Sequence, residues 1–279
     1  MLEDLLSERH RRRRERQQKL WLAAMVLAAA LPVIGVLWIF FRSAAFRIRS
    51  VSIRGNAEIP AADIQNLLTG SILRDHGFLK SLLGPDSLLA WPSGRLPASD
   101  TNLIPQLADL SIAKSFWNKS VTVTVAERQP FAIWCLMPPA EVPTAALSIM
   151  GQQCFWFDGQ GTVFQKTFDV EGGPYFAIHD YSRSSLGLNE KILPEQFVPN
   201  LASILDVLKQ SGISVKEIAL RDFALEEIDV STYNGPDLYF SLRFSASDDL
   251  AVLENLMARP DFKTLQYVDF RVANRAYYK

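Results

Sequence analysis

Apolar and polar positions follow three different rhythms along this chain. The first is an unbroken apolar run from Leu20 to Phe41, with no Asp, Glu, Lys or Arg inside it. At ~1.5 Å per residue it would reach ~33 Å as a helix, enough for a hydrocarbon core of ~30 Å, so a transmembrane helix is expected over residues 20–41. Pro32 and Gly35 are residues that membrane helices tolerate, and Trp21 and Trp38 stand near the two ends, where aromatic rings favour headgroups. The second rhythm, mixed strand and helix, starts at Phe46. Arg49–Arg54 puts Val51 and Ile53 on one face and runs into a Gly55-Asn56 turn. Pro60–Leu68 carries Ile64, Leu67 and Leu68 at helical spacing. The stretch from Gly84 to Ser99, rich in Gly, Pro and Ser, reads as an inserted loop, and Leu103–Ala108 as a helical turn or two. Val121-Thr-Val-Thr-Val125 alternates with period 2, the clearest strand signal in the chain.

From Pro130 onward the third rhythm, mostly strands, takes over. Cys154–Phe157 and Thr162–Phe164 flank Asp158-Gly159 as a hairpin, with Gln160-Gly161 leaving the turn type open. One amphipathic helix interrupts, with Phe197, Leu201, Ile204, Leu205 and Leu208 on one face and Gly212 placed to end it. Strands are expected at Glu217–Leu220, Ile228–Thr232 and Leu238–Phe244. A second helical face follows with Leu250, Leu253, Leu256 and Met257, then a last strand over Gln266–Val272. The pattern therefore predicts an α+β protein. A basic tail (1–19) and a transmembrane helix (20–41) come first, then a small α/β domain (46–128) and a strand-rich β domain with two helices (129–279).

Charge adds an orientation. Arg9, Arg11–Arg14, Arg16 and Lys19 precede the apolar run, whereas Arg42, Arg47, Arg49 and Arg54 follow it, an excess that favours a cytoplasmic N-terminus. Two rivals are weighed. Ser43-Ala44-Ala45 loosely resembles a signal-peptide cleavage site, but such peptides have apolar cores of only ~7–15 residues. The arginine run would also suit nucleic acid or anionic lipid, although beside an apolar run its usual role is topogenic. Beyond residue 41, 22 Lys and Arg face 26 Asp and Glu, which gives no reason to expect nucleic acid.

The chain has two cysteines, Cys135 and Cys154. Each borders an aromatic-rich segment, Phe131–Trp134 or Phe155–Phe157. If these pair as a hairpin, a disulfide would close the long loop between them and add ~3 kcal/mol. Two free buried thiols are the alternative. A catalytic thiol would want a histidine, and His76 and His179 sit in no recognisable motif. No G-x-S-x-G, H-E-x-x-H or P-loop occurs. The adjacent pairs Glu226-Glu227 and Asp248-Asp249 diverge on a strand or a helix, so neither is an acid/base dyad by itself. A hydrolase with carboxylates converging from distant positions is a minor alternative. No enzyme activity, cofactor, metal or small-molecule substrate is expected.

Several local patterns match one family. Phe46-Arg-Ile-Arg-Ser-Val-Ser-Ile-Arg-Gly-Asn56 resembles the opening of the POTRA domain in the bacterial division proteins FtsQ/DivIB. Trp117 with Val121-Thr-Val-Thr-Val-Ala-Glu-Arg-Gln-Pro130 resembles that family's W-P…V-x-V-x-E-R-x-P motif, with Asn118 in place of the proline. Phe157–Phe164 looks like its D-x-x-G-x-V-F hairpin. Tyr267-Val-Asp-Phe-Arg271 and Asn274–Lys279 look like its C-terminal ending. The regions Leu73–Asn102 and Leu136–Gln153 are longer than usual for the family, and its Leu-Pro motif is degenerate around Gly173-Pro174.

The resemblance implies a non-enzymatic divisome scaffold at the cytoplasmic membrane and the division septum. Its POTRA-like unit would recruit other divisome proteins. Its β domain would bind FtsB/FtsL-like single-span partners through a strand added to the last strand, here Tyr267, Val268, Asp269, Phe270, Arg271 and Val272, linking early division proteins to septal peptidoglycan synthesis. Arg271 would then face a partner carboxylate. The plainer reading puts Tyr267, Asp269 and Arg271 on a solvated face and Val268 and Phe270 in the core. A membrane-anchored POTRA chaperone and an extracytoplasmic ligand-binding protein are the remaining alternatives.

Overall fold

The computed structural model describes residues 19, 21–22, 24–36, 38–39, 46–74, 83–84, 86–138, 153–169 and 172–279. Nearly all of the basic tail and most of the Leu136–Gln153 loop lie outside these residues. The chain divides into two compact units, 1–100 with 109–125, and 101–108 with 126–279. The boundary drawn from sequence at 128/129 lies near the change of unit after Val125, but 101–108 counts with the second unit.

The expected transmembrane helix is corrected. Among the described residues no helix is long and apolar enough to cross a membrane. Residues 20, 23, 37 and 40–41 of the expected span lie outside the described residues.

In the first unit, strands β1 (Ser50–Arg54), β2 (Gly94–Arg95), β3 (Leu107–Ser115) and β4 (Ser120–Glu127) form a sheet in the order β1-β4-β3-β2. β1 runs parallel to β4, from Ser50 opposite Ser120 to Arg54 opposite Thr124. Helices α1 (Ala61–Arg74) and α2 (Ala98–Thr101) complete the unit. Val121, Val123 and Val125 point inward with Ile64, Leu68 and Leu110, all buried. Gly55 ends β1 at φ 86°, and a β-carbon there would lie 2.2 Å from the Val125 carbonyl oxygen, so only glycine fits. β3 corrects the helical reading of Leu103–Ala108. Residues 103–106 lie in turns and Leu107 opens the strand, although Leu103, Ile104 and Leu107 have helical spacing.

The second unit carries β5 (Ala132–Leu136), β6 (Gln153–Phe157), β7 (Val163–Thr167), β8 (Ala177–Asp180), helix α3 (Val198–Ser211), β9 (Val215–Leu220), β10 (Glu227–Thr232) and β11 (Asp237–Ser241). Helix α4 (Asp249–Met257), β12 (Tyr267–Val272) and β13 (Arg275–Tyr278) follow. All nine strands join one sheet in the order β13-β12-β11-β10-β9-β8-β5-β6-β7. The α+β expectation is corrected to a mixed α/β protein, for a specific reason. β8 pairs with β9, and β11 with β12, in parallel. A parallel pair requires a crossover, and α3 and α4 supply it, so the two helices belong to βαβ units. β11 also ends at Ser241, short of the expected Phe244.

The sheet has one dry and one polar face. Phe155, Trp134, Ile178, Ile218, Val230, Leu238 and Val268 occupy successive strands in register, and each is buried. Leu201, Ile204, Leu205 and Leu208 of α3 and Leu253 and Leu256 of α4 belong to the same core. The neighbouring row crosses the opposite face, through Thr167, Cys154, Cys135, His179, Ala219, Asp229, Tyr239, Asp269 and Tyr277. Polar and charged side chains gather on this outer face because α3 and α4 pack on the other.

Candidate functional site: the β12–β13 end of the sheet

β12 owes its place to alternation. Val268 and Phe270 face the core, and Phe270 stacks on Phe240 of β11 at 5.1 Å between ring centroids. Tyr267, Asp269 and Arg271 face outward. Val272, 46% exposed, ends the strand. Of the six residues read from sequence as partner-binding, two are therefore core residues and three are on the polar face.

The strand is also one position inside the edge. β13 pairs with it antiparallel through Val268–Tyr278, Asp269–Tyr277 and Val272–Arg275, with a break in register between Asp269 and Val272. The turn between them holds Asn274 at φ 60°, a left-handed conformation that asparagine tolerates better than most residues. The sequence reading stopped at Val272. Asn274 followed by the short Arg-Ala-Tyr-Tyr run was the signal that a hairpin continues. In β13 only Ala276 packs against the core, and Tyr277 and Tyr278 stay about half exposed.

Arg271 clamps three strands. Its Nε and Nη2 donate to the two oxygens of Asp269 at 2.9 and 2.6 Å, and its Nη1 donates to Glu227 on β10 at 2.8 Å. The guanidinium also lies 5.0 Å from the Tyr239 ring centroid on β11. The hydrogen bonds from Arg271, outweighing burial, hold the Asp269 carboxyl below its ordinary value, and the same bonds raise Arg271. The arginine expected to meet a partner carboxylate is thus already engaged within its own sheet. Burial, and then the Asp237 and Asp229 carboxylates, push the Tyr239 hydroxyl up.

Around this clamp lies an open cup of about 520 Å³ whose lining includes Arg221, Asp222, Glu227, Asp229, Tyr239, Tyr267, Asp269 and Arg271. The polar face continues through Arg221, which reaches Asp229 at 3.5 Å and Glu217 at 3.6 Å. Glu217 accepts from the Tyr181 hydroxyl at 2.8 Å and sits 3.3 Å from His179 Nδ1, while Nε2 of that ring is 2.9 Å from Asp169. Burial works against the Glu217 charge, but the bonds from Tyr181 and His179 outweigh it and leave the carboxyl below its ordinary value.

Cys135 and Cys154 lie opposite each other on β5 and β6 and are joined by a disulfide of 2.01 Å. Among the described residues Cys135, Asp169 and His179 are grouped closely enough to suggest a metal site, yet the Cys135 sulfur is committed to the disulfide.

Two of the quoted motifs meet. Arg128 donates to Asp158 Oδ2 at 2.5 Å and to the Pro105 carbonyl at 3.0 Å. The other Asp158 oxygen accepts the backbone N–H groups of Gln160 and Thr162 and so closes the β6–β7 turn. Gly161 in that turn has φ 74°, and a β-carbon would come within 2.7 Å of Val198.

No family model matches the chain, and no curated protein matches it. The likeness to FtsQ/DivIB rests on the motif residues themselves.

Proposed function

We propose that the chain is a non-enzymatic cell-division scaffold whose second unit docks an extended segment of an FtsB/FtsL-like partner by strand addition at the β13 end of its sheet. The observation that carries this reading is β13 itself. It is the outermost strand and lies next to the segment that resembles the family's docking strand. An outermost strand offers a row of backbone donors and acceptors to another chain. The opposite outermost strand is a poorer platform, because Val163 of β7 already exchanges backbone hydrogen bonds with Asn189 and Glu190. The ordered motifs from Phe46 to Lys279 support the family assignment, and the first unit then takes the recruiting role of a POTRA domain. The six β12 residues serve this reading as the support that fixes β13, with Arg271 holding β10 to β12.

The test is capture of the purified extracytoplasmic segments of the FtsB/FtsL-like proteins from the same cell. Shortening the chain after Val272 removes β13 and leaves the buried positions in place. Capture should fall about tenfold or more while the thermal melt persists. Undiminished capture by the shortened chain rejects β13 as the docking edge. Substitution of Phe270 is a poor probe, since its buried ring makes loss of binding inseparable from loss of fold.

A further inference from the structure

The β3–β4 hairpin of the first unit ends in two aromatic side chains with no core to enter. Trp117 is 96% exposed and Phe116 50% exposed. Lys119, at φ 52°, completes the turn. A fully exposed tryptophan at a hairpin tip leaves its apolar body in water, a costly arrangement that an amphipathic environment relieves.

The topology shows what shares that end of the unit. β1 and β4 are parallel and start together at Ser50 and Ser120. The Arg49 N–H donates to the Lys119 carbonyl at 2.8 Å, and Arg47 bridges to Ser87. Lys114, whose Nζ lies 6.0 Å from the Phe116 ring centroid, is on the same hairpin. Arg49, Lys114 and Lys119 therefore lie at the end of the unit that carries Phe116 and Trp117, with Lys114 Nζ also donating to the Trp91 carbonyl at 2.9 Å. The segments 46–50 and 112–124 contain no Asp or Glu, and Asp86 is the acid that the Ile48 backbone brings to this end.

From this juxtaposition we infer that the Phe116–Trp117 tip, with the cations at its end of the unit, is a footprint for an anionic lipid surface. Aromatic rings of this kind settle at the level of lipid headgroups, and each nearby Lys or Arg adds attraction to anionic lipid. A protein groove would also accept the rings, but it gives no reason for the cations at that end. The footprint requires no strand addition at β13, so it stands or falls apart from the scaffold reading.

Fluorescence of a thiol-reactive, polarity-sensitive dye tests this on the full chain. With Cys135 and Cys154 bonded to each other, Trp117→Cys supplies a single free thiol, and Ala57→Cys does so at the opposite end of β1. The labelled chains are mixed with phosphatidylcholine vesicles, with and without phosphatidylglycerol, some carrying a headgroup-depth quencher. The dye at 117 should shift to the blue and be quenched at least about twofold more than the dye at 57. The excess should grow with phosphatidylglycerol and shrink in high salt. A second chain keeps Trp117 and replaces Arg49 and Lys119 by Gln, with the dye placed at Phe116→Cys. Its quenching should lose the phosphatidylglycerol dependence. Equal, water-like signals on anionic vesicles at 57 and at Phe116→Cys, in a chain that keeps Trp117, Arg49 and Lys119, overturn the proposal. So does a dye at 117 that is shielded only when the partner protein is added.

Discussion

Arg128 and Asp158 stand in two separate stretches of sequence, and each was read only as part of a strand-like motif. Their side chains are 15% and 11% exposed, so the pair is a buried one, and removing either partner leaves a charge without its counterpart. Arg128→Ala should therefore destabilise the second unit by about 3–5 kcal/mol, measured by urea unfolding. Asp158→Asn keeps acceptors for the Gln160 and Thr162 N–H groups and should cost less. A loss under about 1 kcal/mol for Arg128→Ala would mean that the pair is effectively solvated. The ranking from sequence of Val268 and Phe270 as core and Tyr267, Asp269 and Arg271 as outer face needed only period-2 alternation. The engagement of Arg271 by Glu227 did not follow from it, because that contact depends on strand order across 44 positions.

Elements were legible where their apolar spacing matched one period and no other. α3 lies where Phe197–Leu208 placed it, and its end at Gly212, φ 68°, uses the left-handed freedom that glycine has. β3 was missed because its buried positions, Leu107, Leu110 and Ile112, do not keep period 2. The parallel pairings were not legible at all, since alternation reports which face is buried and is silent on direction. α4 carries its own conflict. Asp249 lies in its first turn, where a carboxylate ordinarily suits the helix dipole. Burial, reinforced by Asp248, nonetheless pushes its carboxyl up to about 6. Between its ordinary value of 3.8 and about 6, the folded chain keeps a proton that the unfolded chain gives up. Stability therefore falls as pH rises through that window and stays lower above it. Asp249→Asn should remove this loss. With the group partly exposed, screening reduces the gain to about 1 kcal/mol at neutral pH and nothing near pH 3. Chemical denaturation at the two pH values checks it, and an equal effect at both would assign the change to helix capping instead.

At the scale of the whole molecule, the two outward features belong to different units and make separable demands. β13 offers a strand edge in the second unit, and the Phe116–Trp117 tip offers an aromatic, cationic surface in the first. A scaffold needs its docking edge presented where its partners are, so a chain lacking the tip should keep its affinity in solution yet work less well in the cell. Depleting the protein should produce filamentous cells that elongate without septa, and a fluorescent fusion should form a band at mid-cell. Chains shortened after Val272 should localise but fail to relieve filamentation, because the scaffold reading gives recruitment to the first unit. Chains with Phe116 and Trp117 replaced by Ser should bind the partner in solution and relieve filamentation only in part. Uniform staining around the envelope, with normal division on depletion, would sink the scaffold reading. It would leave the lipid footprint to be judged by the dye at position 117.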